Sequence, residues 1–291
     1  MKIIVTIPAN NEEKTIGRVI DGINSLFSKK SIQGEIVVVD DGSTDKTAEI
    51  ARGKGAYVYS LPVRLGLAEA FRNEIRICLE READIIVHID ADGQYSPDQI
   101  PDLLKEIENG YDLVLGSRFI GKIESMPLIK RIGNILFSKA ISNITRLRIT
   151  DAQTGFRAFT KDVAKNINLI SDHTYTQEQV IKASRKYKIK EVPVLFAKRE
   201  GKSRLIRNPF EYAIRAWITL FRLYRDYRPL NFFGVIGAIP FSIGSIIGIW
   251  FTYTHFFAGG VKGHLLLSIF MMLLVLVGIQ IILFGFLADM K

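Results

Sequence analysis

Between residues 232 and 254, and again between 265 and 287, the chain carries no charged side chain. A helix of either length reaches across a hydrocarbon core of about 30 Å. A buried hairpin of core helices would normally show a polar face, which neither segment has. Both stretches are therefore expected to span a membrane, and the rest of the chain must fold as something tethered to one. At the other end, residues 3–7 are apolar but too few for the core of a signal peptide, and Pro8-Ala9-Asn10-Asn11-Glu12 follows at once. The first 230 residues are thus expected on the cytoplasmic side.

Charge supports that orientation. Lys and Arg outnumber Asp and Glu by 39 to 30, giving a net charge of +9. Arg215, Arg222, Arg225 and Arg228 crowd the approach to the first span, whereas the short loop between the spans offers only Lys262. By the positive-inside rule both termini face the cytoplasm. A basic chain can bind nucleic acid, but arginines abutting a span fit anionic headgroups better, so membrane lipids and no nucleic acid are the expected partners. Residues 208–230 suit a helix lying in the membrane interface, although a cytosolic helix packed on the domain has the same composition. Gly244 and Gly248 form a G-x-x-x-G face, a contact for helix packing through which a homo-oligomer is allowed. The single cysteine, Cys78, excludes an internal disulfide and reads as a core residue; four scattered histidines with no cysteine partners make zinc an unsuitable metal.

The first 200 residues alternate between strand and helix patterns. Strands are expected at 3–7, 36–39, 57–61, 85–89, 113–115 and 189–195, with helices after most of them. The helix following the first strand shows Ile16, Val19, Ile20, Ile23 and Leu26 at helical spacing, with Asn10 or Asn11 as its cap. A later helix, led by Lys130 and Arg131, carries Ile132, Ile135, Leu136 and Ile141. The alternation implies a mostly parallel sheet covered on both faces. There is no G-x-G-x-x-G after the first strand and no Walker A sequence, so phosphates must be handled another way.

Asp90-Ala91-Asp92-Gly93-Gln94 supplies that way. An apolar run breaks here into two carboxylates, at the strand end where α/β sheets bind ligands. Two such carboxylates can share a hard divalent cation on a diphosphate, although aspartates after strands also make turns and caps.

Together with Ile7-Pro8-Ala9-Asn10-Asn11-Glu12 and Val39-Asp40-Asp41-Gly42-Ser43, this motif resembles the family 2 glycosyltransferases of the GT-A fold. Gly116-Ser117-Arg118-Phe119, Thr154-Gly155-Phe156-Arg157, Glu191-Val192-Pro193 and Arg199-Glu200-Gly201-Lys202-Ser203 narrow the likeness to the polyprenyl-phosphate glycosyltransferases, of which dolichyl-phosphate mannose synthase is the best-known type. The resemblance implies an α/β GT-A domain over 1–207, an interfacial segment over 208–230 and a two-helix membrane domain over 231–291. It implies an inverting transfer from a UDP- or GDP-sugar to a polyprenyl or dolichyl phosphate. Pro8, Ala9, Asn11, Glu12, Asp40 and Asp41 would then lie along the nucleotide sugar. Asp90, Asp92 and Gln94 would hold Mg²⁺ or Mn²⁺, with Asp92 at the catalytic centre. Arg118 and Arg131 would take the acceptor phosphate, and Arg199, Lys202 and Ser203 would close over the diphosphate. Asp151 and Glu178 match family positions without a firm role. Val63-Arg64-Leu65-Gly66-Leu67 departs from the glycine- and lysine-rich turn that is frequent there. Two other readings remain: a transferase using a different lipid or glycolipid acceptor, and a non-catalytic nucleotide-sugar-binding scaffold.

Overall fold

The computed structural model describes residues 1–169, 175–198, 218–219, 221–257 and 264–290. The chain forms two compact units, Met1–Ala213 and Ile214–Lys291.

In the first unit, strands β1 (Ile3–Ala9), β2 (Gly34–Asp40), β3 (Tyr57–Ser60), β4 (Ile85–His88), β5 (Leu113–Ile123), β6 (Arg157–Thr160) and β7 (Ile189–Phe196) form one seven-stranded sheet in the order β3-β2-β1-β4-β6-β5-β7. β6 runs antiparallel to β4 and β5, and every other pair is parallel. The central strands are apolar on both sides because both sides are covered. On one side Val5, Ile7, Val87, Val114 and Ala158 meet the buried stripes of α1 (Ile16–Lys30) and α4 (Ile100–Glu108). All five apolar residues expected on α1 are buried. On the other side Phe71 of α3 (Leu67–Glu80) packs edge-on against His88, with Phe159 and Tyr175 around it. Cys78, also on α3, is buried as expected. The remaining helices of this unit are α2 (Thr47–Gly53), α5 (Leu128–Thr145), α6 (Lys161–Asn166) and α7 (Tyr175–Ala183).

Two expectations need correction, and two features carried no expectation. Neither Asn10 nor Asn11 caps α1, whose N-cap is Thr15. The two asparagines reach across to the loop after β2 instead: Asn10 Nδ2 donates to Asp41 O at 2.6 Å, and Asn11 Oδ1 accepts from Thr44 N at 2.8 Å. Second, β5 does not stop at Leu115. Gly116, Ser117, Arg118 and Phe119 lie inside it, paired alongside β7 through a register shift between Ser117 and Lys122. Third, the apolar stretch after the Thr154-Gly155 turn is β6, inserted between β4 and β5 against their direction. Fourth, α5 buries Asn134, Phe137, Ser138, Ala140, Ile141 and Ile144, whereas Ile132, Ile135 and Leu136 face outward with Leu128 and Ile129. Packing selected the flank of α5 with small and polar residues, not its most apolar one.

The second unit contains α8 (Pro229–Phe257) and α9 (Leu265–Asp289), both long and apolar enough to cross a membrane. Val235, Ile239, Ile246, Leu266, Leu273 and Leu283 are exposed, as lipid-facing side chains would be. The expected glycine face is used within the chain. A Cβ on Gly244 would come within 2.8 Å of Val275 Cγ2, and the nearest atom to one on Gly248 would be Met271 Sδ at 3.3 Å. That face therefore packs α8 on α9 and is not left for a second copy. Of the expected interfacial segment, residues 208–217 and 220 lie outside the described ones; residues 221–227 are helical, with Phe221, Arg222 and Arg225 exposed and Leu223 buried.

Candidate active site

The carboxyl ends of β1, β2 and β4 converge, and three loops meet there. After β4, the amide of Ile89 still bonds Thr6 O of β1, which holds the strand straight up to the first carboxylate. Asp90 and Asp92 then emerge, both partly exposed. Asp92 Oδ1 accepts from Gln94 N at 3.1 Å, closing the turn. Gln94 is buried, its Nε2 donating to Ala197 O at 3.0 Å while Ala197 N donates to Gln94 O at 2.8 Å. The turn is thus fastened to the chain just beyond β7, and Gln94 Oε1 has no hydrogen-bond partner among the described residues. Among the described residues no third Asp, Glu, His or Cys joins the pair. Two carboxylates suit a Mg²⁺ or Mn²⁺ ion held largely by substrate phosphates and water, so the donor set fits such an ion.

The loops after β1 and β2 are laced together. Pro8 and Ala9 are buried at the end of β1, and Ala9 O accepts from Asp41 N at 2.8 Å. Asn11, at φ 55°, receives Thr44 N on its side chain and donates its own amide to Ser43 Oγ at 2.9 Å. Glu12 N donates to Thr47 Oγ1 at 2.8 Å, and Glu12 Oε2 accepts from Thr15 Oγ1 at 3.2 Å. Asp40 Oδ1 accepts from Ser43 N at 3.0 Å. Asp41 is buried, with Leu65 N at 2.6 Å from one oxygen and Gly66 N at 2.9 Å from the other. Both its oxygens therefore fix the divergent turn before α3, leaving Val63 and Leu65 exposed on it.

Across the site the charges are buried. Arg118 is only 4% exposed and Asp151 fully enclosed. The guanidinium grips the carboxylate with two prongs, Nε to Oδ2 at 2.6 Å and Nη2 to Oδ1 at 2.7 Å, and Arg118 N adds a third bond to Oδ2 at 3.0 Å. Burial acts to lower the pKa of Arg118, but Tyr95, Asp151 and Asp90 outweigh it and raise the pKa above the usual value. Nη1 has no hydrogen-bond partner among the described residues, yet it is not among their sealed, unpartnered atoms. Asp151 N in turn donates to Glu191 Oε1 at 2.8 Å, and Thr150 donates to the same carboxylate through N and Oγ1. Burial pushes Glu191 above the ordinary carboxylate range despite these bonds. Tyr95 is buried, stacked on Phe156, with its hydroxyl 3.1 Å from Thr154 Oγ1. A Cβ on Gly155 would lie 2.5 Å from Asp90 Oδ2, so the backbone of this turn is pressed against the Asp90 carboxylate. Arg131 is exposed on α5, and Arg199, Lys202 and Ser203 lie outside the described residues.

The sequence profile of glycosyl transferase family 2 matches residues 4–167. The chain belongs to that family. It is 34% identical to a dolichyl-phosphate hexose transferase of Haloferax volcanii over 71% of this chain and 86% of that one. It is 32% identical to a dolichol-phosphate mannosyltransferase of Pyrococcus furiosus over 86% of this chain and 70% of that one. Among solved structures, glucosyl-3-phosphoglycerate synthase of Mycobacterium tuberculosis with Mn²⁺, UDP-glucose and phosphoglyceric acid superposes with a TM-score of 0.61. That match covers 77% of this chain and 78% of the other at 23% identity, a likeness of fold. The mixed sheet with helices on both faces is accordingly the GT-A fold that the motifs implied.

Behind the site, the buried pair Glu74 and His88 escaped sequence reasoning, and Arg157 was known only as part of a motif, with no role. Glu74 Oε2 lies 2.6 Å from His88 Nδ1, both side chains sealed between α3 and β4. Arg157, fully buried, bonds Thr176 O at 3.2 Å, Gln179 Oε1 at 2.8 Å and, more closely, Thr154 O; burial lowers its pKa. The only signal for the first pair was a histidine inside an otherwise apolar run, with nothing to indicate its partner. Glu178, whose role was open, is buried and pairs with Lys182 at 2.7 Å.

Proposed function

We propose that this family 2 enzyme transfers a sugar, with inversion, from a nucleotide sugar to the phosphate of a polyprenyl or dolichyl lipid. The observation that carries the reading is Arg118. A buried guanidinium with one uncommitted nitrogen is held by Asp151, and Gly155 of the same turn bears on Asp90, so one short turn joins a cation for one phosphate to a carboxylate pair suited to another. The relatives named for dolichyl-phosphate chemistry support the acceptor class.

Asp90 and Asp92, with the free oxygen of Gln94, would hold Mg²⁺ or Mn²⁺ on the donor diphosphate, where such an ion neutralises charge developing on the leaving group. Glu12, Asp40 and Asn11 line the donor side with Pro8 and Ala9, and Asp41 serves by holding the turn at Leu65 and Gly66. Arg118 and Arg131 bind the acceptor phosphate, and Arg199, Lys202 and Ser203 cover the donor. A phosphate monoester is largely dianionic at neutral pH and needs no base. One of its oxygens bonds to the anomeric carbon as the bond from that carbon to the diphosphate breaks, and no proton moves. The protein's task is to hold two anionic groups in line.

The catalytic part is residues 1–207, anchored through 208–230 to the spans, with both termini cytoplasmic as the arginine distribution favours. The outward row Leu128, Ile129, Ile132, Ile135 and Leu136 on α5, flanking Arg131, supports a lipid acceptor. Membranes containing the full chain, given labelled UDP- and GDP-sugars with and without dolichyl phosphate, test the reading. Labelled lipid dependent on the phosphorylated acceptor is expected. Label in lipid without it would mean another acceptor, and no turnover with any donor would leave a binding scaffold.

A further inference from the structure

The turn over residues 150–155 touches both halves of the site. At its start Asp151 holds Arg118 by three hydrogen bonds, and at its end the bare Cα of Gly155 bears on the carboxylate of Asp90. The turn is itself tied down at each end. Glu191 accepts from Thr150 and Asp151, and Ser117 Oγ lies 2.6 Å from Thr150 Oγ1. At the far end Arg157 grips Thr154 O, and Thr154 Oγ1 meets both Tyr95 and Phe156 N. Asp151 is sealed from solvent with both oxygens occupied, so it cannot reach a substrate proton. Its effect must pass through Arg118.

Resting on the acceptor reading above, we propose that this turn is a spacing element: Asp151 and Gly155 are positioning residues that set the distance between the acceptor cation, Arg118, and the diphosphate-side carboxylate, Asp90. The bidentate grip fixes the plane of the guanidinium and leaves Nη1 as the nitrogen available to a phosphate. Absence of a side chain at 155 lets Asp90 stand where it does. Transfer between two bound anions needs reacting atoms about 3–3.5 Å apart, and a displacement of about 1 Å costs about a hundredfold. A single rigid turn controlling both sides meets that tolerance more simply than two independent loops.

The test uses the full-length chain in detergent with two probes, geranylgeranyl monophosphate for the acceptor side and UDP or GDP with Mn²⁺ for the donor side. Binding is measured by calorimetry and folding by thermal melting. Asp151→Asn should weaken the prenyl phosphate about tenfold or more, as expected for a disturbed charged bidentate contact, and leave nucleotide binding within about twofold. Gly155→Ala should do the reverse, raising the Mn²⁺ needed for nucleotide binding while sparing the prenyl phosphate. Combining Asp151→Asn with Arg118→Lys should cost little more than Arg118→Lys alone, since both act through one guanidinium. Asp151→Glu, which keeps the charge but displaces it by one methylene, carries the same expectation if Asp151→Asn does not fold. Equal weakening of both probes by each variant, or no change in a folded Asp151 variant while Arg118→Lys is impaired, overturns the spacing role. Wild-type prenyl phosphate binding by Arg118→Lys would instead overturn the acceptor reading on which it rests.

Discussion

Along β3, β2, β1 and β4 the polar residues of the site are held by backbone amides of loops that stay partly open to solvent, while around β6, β5 and β7 they are held by one another, in the interior. Asn11 and Asp41 each receive an N–H from a neighbouring loop, and Asp40 receives one from Ser43 of its own. Arg118, Asp151, Arg157 and Glu191 bond side chain to side chain or into turns, and the first three are buried. The first arrangement suits a nucleotide, whose hydroxyls and ring nitrogens can exchange with water and loop groups. The second suits a phosphate that must be met by a cation already fixed in place, because a buried charge with a committed partner has little freedom to reorient.

The difference can be broken most sharply by stability. Asp151→Ala strands the buried guanidinium of Arg118 and is expected to cost about 3–5 kcal/mol. Asn11→Ala, on the open side, should cost about 1–2 kcal/mol. Chemical denaturation of both variants gives the comparison, and equal losses would erase the distinction between the halves. Next in size, Asp92→Ala should lower transfer by about 100- to 1000-fold, the several kcal/mol that a bound cation supplies, with little change in melting temperature. Chelation with EDTA should produce the same loss and Mn²⁺ should reverse it; a variant as active as wild type would remove the diphosphate-side assignment.

Smaller still is the effect expected on α5. Replacing exposed Ile132 and Ile135 by Glu should leave stability within about 0.5 kcal/mol per site, yet raise KM for a long-chain prenyl phosphate and not for a short, water-soluble one. Equal KM changes for both acceptors would detach that face from the lipid. The smallest effect concerns pH. Glu191 titrates above its unfolded value of 4.5 because it is buried, so its folded form takes up the proton more readily than the unfolded chain. The stability this contributes is full below the unfolded pKa and is lost as pH rises through the folded one. The melting temperature of wild type should therefore gain on that of Glu191→Gln as pH falls toward 4.5, and a pH-independent gap would contradict the assignment.

The same contrast governed what the sequence disclosed. β1, β2 and β4 were legible because a strand buried on both faces is a run of Ile and Val, and Asp90 and Asp92 stood out as the break in one. α1 was legible from its spacing, but the work of Asn10 and Asn11 was not, since their partners lie some thirty residues away across the sheet. β5 appeared to end at Leu115 because Ser117 and Arg118 look like loop residues until the buried Asp151 is known. On α5 the pattern gave a helix but not its buried face: the most apolar flank faces outward, and only contact with the rest of the fold could have shown which flank was inside.

Strand β6 enters the sheet against the direction of β4, so that Arg157 comes level with His88. Losing or gaining one residue between 151 and 157 would keep Asp151 on Arg118 only if β6 slid by one step, and one step exchanges the two faces of a strand. Arg157 would then point into the side now filled by Phe156 and Ala158. What this stretch can vary least is its number of residues: a replacement at half-buried Gln153 should be accepted, and no single insertion or deletion.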